Sequence, residues 1–175
     1  VHLPGVSSSP YPRAADPLRK TARTRMIASV SALLTSLALL LAGNGLLTLL
    51  LPTRAALDGI ATGAIGLAMS GYFVGYVIGC LVTPRIVRRV GHIRSFAALA
   101  AVAAATALAY ALAGDTVAWF LLRALSGIAM SGLTMIVESW LNDRATDETR
   151  GRIISVYRIV DLSAVSIGQL LLSVA

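Results

Sequence analysis

The chain has 175 residues, of which 57% are hydrophobic and only 13% charged, with a formal net charge of +7. A soluble domain of ordinary composition carries about 25% charged residues, so there is too little charge here to cover a water-facing surface. The positive balance does not mark a nucleic-acid binder, because the arginines gather at the ends of apolar runs and form no basic face with aromatic or polar neighbours.

Residues 1–25 read as a disordered basic tail on the cytoplasmic side. Pro4, Pro10, Pro12 and Pro17, the serines Ser7, Ser8 and Ser9, and the cations Arg13, Arg19, Lys20, Arg23 and Arg25 supply nothing that could pack. Five apolar segments follow, at about 26–51, 60–83, 95–113, 116–141 and 153–175. Each is close to or above the ~20 residues a membrane-crossing helix needs. The first carries no charge and is too long for the apolar core of a cleaved signal, which runs about 7–15 residues. The runs are too long and too rich in Ala and Leu for strands. The expected fold class is therefore all-α and integral to a membrane, with residues 26–175 as one transmembrane helical domain. Short connections at 52–59, 84–94, 114–115 and 142–152 make successive helices antiparallel.

The second segment carries Gly71, Gly75 and Gly79. Residues four apart share a helix face, so the three form a strip without side chains, suited to close helix packing in a bilayer. The segment empties into a connection holding Arg85, Arg88, Arg89 and Arg94 and no acid. With the N-terminus inside, twelve of the fifteen Lys and Arg residues fall on the cytoplasmic side and only Arg54 outside. Cytoplasmic loops are the basic ones, so this orientation is expected, with multi-pass insertion in a bacterial inner membrane.

The third segment is Ala-rich and uncharged, and reads as peripheral. The fourth holds Arg123 and Glu138, and the fifth Arg158 and Asp161. A charge at the bilayer centre costs about 2.5–3.5 kcal/mol on insertion scales, so such residues turn inward and find partners. At a helical rise of 1.5 Å per residue, Glu138 and Arg158 lie ~6 Å and ~9 Å from the cytoplasmic end of their segments. They are expected to form an intramembrane ion pair. Asp161 lies deeper, three residues from Arg158, and can share it along one helix face. Arg123 is too far toward the outer side to reach Asp161 and needs another partner or a wet cavity. Asn44, between Gly43 and Gly45, offers an amide where helices approach closely. Asn44, Arg123 and Asp161 are the candidates for a substrate or proton pathway. Bland readings stand beside these: a structural ion pair, an interhelical hydrogen bond for Asn44, an arginine that snorkels outward, and packing alone for the glycine strip.

Trp119 and Trp140, near opposite ends of the fourth segment, and Tyr72, Tyr76 and Tyr110 are candidates for interfacial belts. Cys80 reads as a small buried hydrophobe. No P-loop, G-x-S-x-G or H-E-x-x-H motif occurs, and Gly43-Asn44-Gly45 lacks the strand and third glycine of a dinucleotide loop. Neither His2 nor His92 falls in a segment. An enzyme, a metal site and a cofactor are not expected.

Gly79, Arg85, Arg88, Arg89, Gly91 and Arg94 resemble the signature between helices 2 and 3 of the major facilitator superfamily of secondary transporters. Thr83 stands where that signature usually has an acid. Arg123, Ser126, Gly127 and Gly132 resemble the family's helix-4 signature. The stretch from Glu138 to Asn142, with Arg150, Gly151, Arg152 and Tyr157, resembles its bacterial YcaD-type branch. The resemblance implies the first five helices of a twelve-helix bundle whose second half is missing from this chain. It further implies a cytoplasmic gating loop at the arginines and helices 1, 4 and 5 around a cavity. The expected function is a fragment of a secondary transporter, an antiporter or symporter coupled to a proton or ion, moving a small molecule by alternating access. Its partners would be the bilayer, substrate, proton and missing half. The rival reading is a non-transporting membrane subunit or regulator that packs with partner helices.

Overall fold

A computed structural model describes residues 16–146 and 148–174. It holds five helices: α1 (Asp16–Leu57), α2 (Thr62–Val90), α3 (His92–Ala109), α4 (Thr116–Arg144) and α5 (Arg150–Val174). No strand occurs among the described residues. Each helix contains a stretch long and apolar enough to cross a membrane, beginning in α1 at Ser31. The chain divides into a first unit, Val1–Ala32, and a second, Leu33–Ala175. The helix bundle is built within the second unit.

The helix ends differ from the expected ones, each for a local reason. Residues 1–15 of the expected tail lie outside the described residues, but from Asp16 the chain is helical rather than disordered. Pro17 sits in the opening turn, where a missing N–H costs little, and the next residues, Leu, Lys, Arg and Ala among them, are good helix formers. At the other end α1 runs through Pro52, which removes only the bond to the Thr48 carbonyl. It stops at Gly59, whose φ of 76° places it in the left-handed region. There Ile60 N–H donates to the Ala55 carbonyl at 3.0 Å and Gly59 N–H to Ala56 at 3.1 Å, the paired bonds that close a helix C-terminus.

The loop expected over 84–94 is also mostly helix. α2 passes through Pro84 and ends at Val90, so the connection to α3 is the single residue Gly91. Its φ of 88° and ψ of 162° lie in a region essentially closed to residues with a Cβ. Its N–H reaches the Val87 carbonyl at 2.8 Å, and its own carbonyl accepts from Ser95 Oγ at 2.7 Å. Arg85, Arg88 and Arg89 therefore ride on the last turns of α2 and Arg94 on the first of α3, at the surface of the bundle. Farther on, Asp115 caps α4, its Oδ1 accepting from Ala118 N–H at 2.6 Å.

α4 is the central helix: 56% of its apolar stretch is buried, against 17–28% for the others. α2 lies along it on the glycine strip. A Cβ at Gly71 or Gly75 would fall on the Phe120 or Ala124 carbonyl oxygen, and one at Gly79 on Ser131 Oγ. Gly127 answers from α4, facing the Tyr72 carbonyl. Two helix backbones approach this closely only where side chains are absent. α3 covers another face of α4 with Phe96, Leu99 and Ala103, and Ser126 Oγ donates to Thr106 Oγ1 at 3.2 Å. α3 is peripheral, with one face packed on α4 and most of its apolar stretch left outside. α1 and α5 meet by the same device: Gly45 faces the Val165 carbonyl, and Gly168 that of Ala42. Large apolar side chains are left outside, among them Leu39, Phe73, Val77, Ile93, Leu108 and Ile159. An outer surface so apolar is suited to hydrocarbon rather than water.

Candidate functional site

Beside the close approaches at Gly45 and Gly75, the flanking Asn44 and Tyr76 border a hollow between helix faces. A cavity of about 410 Å³ opens there, walled by Leu41 and Asn44 of α1, Tyr72, Tyr76 and Cys80 of α2, Met130, Ser131, Thr134, Met135 and Glu138 of α4, and Arg158, Asp161 and Val165 of α5. It is amphipathic, with a charged cluster and two aromatic rings on an otherwise aliphatic, thioether and hydroxyl wall.

The charged cluster centres on Arg158. Its Nη2 lies 3.0 Å from Glu138 Oε1 across the α4–α5 gap, and its Nη1 lies 3.7 Å from Asp161 Oδ2 one turn along α5. Its guanidinium carbon stands 5.6 Å from the centre of the Tyr157 ring. Asp161 is the most sheltered of the three, its side chain 16% exposed against 43% for Glu138 and 57% for Arg158. Glu138 and Arg158 also line a second hollow of about 360 Å³, which runs toward Asn142 and Ile154 near the α4–α5 connection. The ion pair thus borders both hollows.

Asn44 is in the cavity wall with Asp161 and Tyr72. Arg123 is not in that wall. It is 2% exposed, and its Nη2 donates to the Leu47 carbonyl of α1 at 2.8 Å. Its guanidinium carbon lies 5.9 Å from the Tyr110 ring centre, while its Nε has no hydrogen-bond partner. The structure thus groups Asn44 and Asp161 and sets Arg123 apart, tying α4 to α1. Arg85, Arg88, Arg89, Gly91 and Arg94 lie outside the cavity.

Several wall residues carry no mark in the sequence that sets them apart as site residues. Tyr72 and Tyr76 read as belt candidates, yet they follow Gly71 and Gly75 by one position. That offset is a 100° step round the helix, enough to bring the rings to the edge of the α2–α4 seam. Their centroids are 6.0 Å apart. Cys80 is a free thiol, half-buried in the wall. Ser131 and Thr134 return their hydroxyls to carbonyls of their own helix, as such residues do in apolar surroundings. Among the described residues, no group of His, Cys, Asp and Glu could hold a metal ion.

A family profile described as Major Facilitator Superfamily matches residues 19–175. The chain is 31% identical over 144 residues to the "Uncharacterized MFS-type transporter YcaD" of Escherichia fergusonii, an alignment covering 82% of this chain and 38% of that protein. The protein of the same name in Escherichia coli O45:K1 matches equally well. "Uncharacterized MFS-type transporter Ent638_1421" of an Enterobacter species is 30% identical over 141 residues, covering 81% and 37%. The chain thus spans well under half the length of these curated relatives. No solved structure matches.

Proposed function

This chain belongs to the Major Facilitator Superfamily and is a multi-pass membrane protein, and from that premise we propose that it is part of a secondary transporter that moves a small molecule across the bacterial inner membrane. The observation that carries the reading is the amphipathic cavity walled by α1, α2, α4 and α5, with Asp161 and the Glu138–Arg158 pair in it. A membrane protein keeps a charged cluster among apolar helices at a cost, and such clusters mark substrate and ion routes. The names of the relatives point the same way.

A cavity walled by these four helices suits a site shared with a second set of helices that rocks against this one. Asn44 and Asp161 are the pathway residues in this reading, and Asp161 is the proton or ion carrier. The Glu138–Arg158 pair is a barrier that opens when the two hollows join. Arg123 contributes through α1, holding the helix that carries Asn44. The positive-inside distribution supports a cytoplasmic N-terminus, with the arginines of the α2–α3 junction and the α4–α5 connection on the same side.

The test is flux. The full-length polypeptide that carries this chain, reconstituted in liposomes, is offered a panel of labelled cations, anions, sugars and amino acids under an imposed pH or sodium gradient. Gradient-dependent uptake of at least one, lost in Asp161→Ala with insertion intact, is expected. No movement above empty vesicles for any compound would overturn the proposal.

A further inference from the structure

We infer that the cavity selects a small organic monocation with an aromatic or apolar body. This rests on the reading of the cavity as a substrate site and adds the class of substrate. Charge balance within the wall is the first ground. Two carboxylates, Glu138 and Asp161, face one guanidinium, Arg158. That guanidinium sits tightly on Glu138, at 3.0 Å, and loosely on Asp161, at 3.7 Å. The buried guanidinium of α4, Arg123, is directed to the Leu47 carbonyl and Tyr110 and is not in the wall. The wall contains no Lys or His. One negative charge is left over, and it resides at the more sheltered carboxylate, Asp161.

An uncompensated charge among apolar helices is costly, so a bound cation gains what the empty wall lacks, whereas an anion meets like charge. The second ground is the rest of the wall. Tyr72 and Tyr76 present two aromatic rings, and a cation near a ring face is held by the ring quadrupole. Met130 and Met135 supply polarisable, adaptable surface for an apolar body. A volume of about 410 Å³ is in the range of small-molecule pockets.

Binding is measured by calorimetry on the full-length polypeptide in nanodiscs, with three probes of one ring size: cationic benzyltrimethylammonium, neutral benzyl alcohol and anionic benzenesulfonate. The cation is expected to bind at least about tenfold more tightly than the other two, the order of effect of one nearby charge in a partly shielded site. Asp161→Asn should bring the cation down to the neutral probe, and Asp161→Glu should restore part of the difference. Benzenesulfonate or benzyl alcohol binding as tightly as the cation to the unmodified protein would overturn the inference, and that comparison needs no variant to fold. An Asp161→Asn protein that still prefers the cation would overturn it too. Cation-selective binding without flux of any compound sinks the transport proposal and leaves this inference standing. Flux of an anion does the reverse.

Discussion

Gly91 occupies a backbone conformation that only glycine reaches without strain, and the whole α2–α3 turn depends on that one residue. A Cβ there meets no neighbouring atom, so the cost of Gly91→Ala is backbone strain alone, about 1–3 kcal/mol. Detergent-melt measurements should show that loss. Gly63→Ala is the control: the position is helical, has open space around it and no positive φ, and should be neutral or gain a few tenths of a kcal/mol, up to about 1. Equal effects at both sites would show that the turn is not set by Gly91. Arg123 poses the opposite problem. It is buried without a carboxylate, makes one hydrogen bond to a backbone carbonyl and leaves its Nε unpartnered. A buried charge so poorly compensated is a net burden on folding, and exchanging it for an apolar side chain of similar length can stabilise by about 1–4 kcal/mol. Arg123→Met should therefore melt higher than the unmodified protein while flux falls. A lower melting point with flux intact would make Arg123 a structural tether only.

Helix pairs, rather than single helices, define the cavity, and the α4–α5 pair is held across its gap by Glu138 and Arg158. Removing Arg158 strands Glu138 and Asp161 together, removing Glu138 leaves Arg158 with Asp161, and removing both leaves two neutral amides beside Asp161. Arg158→Gln should destabilise more than the double replacement, whereas Glu138→Gln leaves Arg158 to Asp161 and should cost least, with a coupling energy between Glu138 and Arg158 of about 1 kcal/mol by a double-mutant cycle. Additive losses would mean that the two side chains do not work as a pair. At the same scale, five spans were legible in the sequence because apolar length is a direct physical requirement of the bilayer. The seam along Gly71, Gly75 and Gly79 was legible because a bare helix face has one main use there. The helix ends were not, because whether Pro52 or Pro84 stops a helix depends on what surrounds the carbonyl it orphans. The partner of Arg123 was invisible for a related reason: a backbone carbonyl on α1 leaves no mark in the identity of Leu47. Tyr72 and Tyr76 sat beside a recognised motif, but an aromatic ring at a membrane helix serves a belt or a pocket equally well until the neighbouring helix is placed.

At the scale of the molecule, the distribution of arginine makes a statement about sidedness. Arg85, Arg88, Arg89 and Arg94 gather at one end of α2 and α3, with no acid between them, and Arg150 and Arg152 open α5 after the α4–α5 turn. Antiparallel succession of α2, α3, α4 and α5 puts both groups on the same side of a bilayer. Arg54 pairs with Asp58 at 3.7 Å at the other end. Translocation of an arginine-rich junction is disfavoured, so both basic groups should be cytoplasmic. Single cysteines placed at Arg89 and at Asp58, in a protein whose Cys80 is changed to Ser, make this measurable in intact cells. A membrane-impermeant maleimide should label the Asp58 position from outside and reach the Arg89 position only after the cells are opened. The reverse pattern would invert every helix, send the second hollow at Asn142 and Ile154 to the outer face, and place the Glu138–Arg158 pair on the wrong side of the membrane for a cytoplasmic barrier.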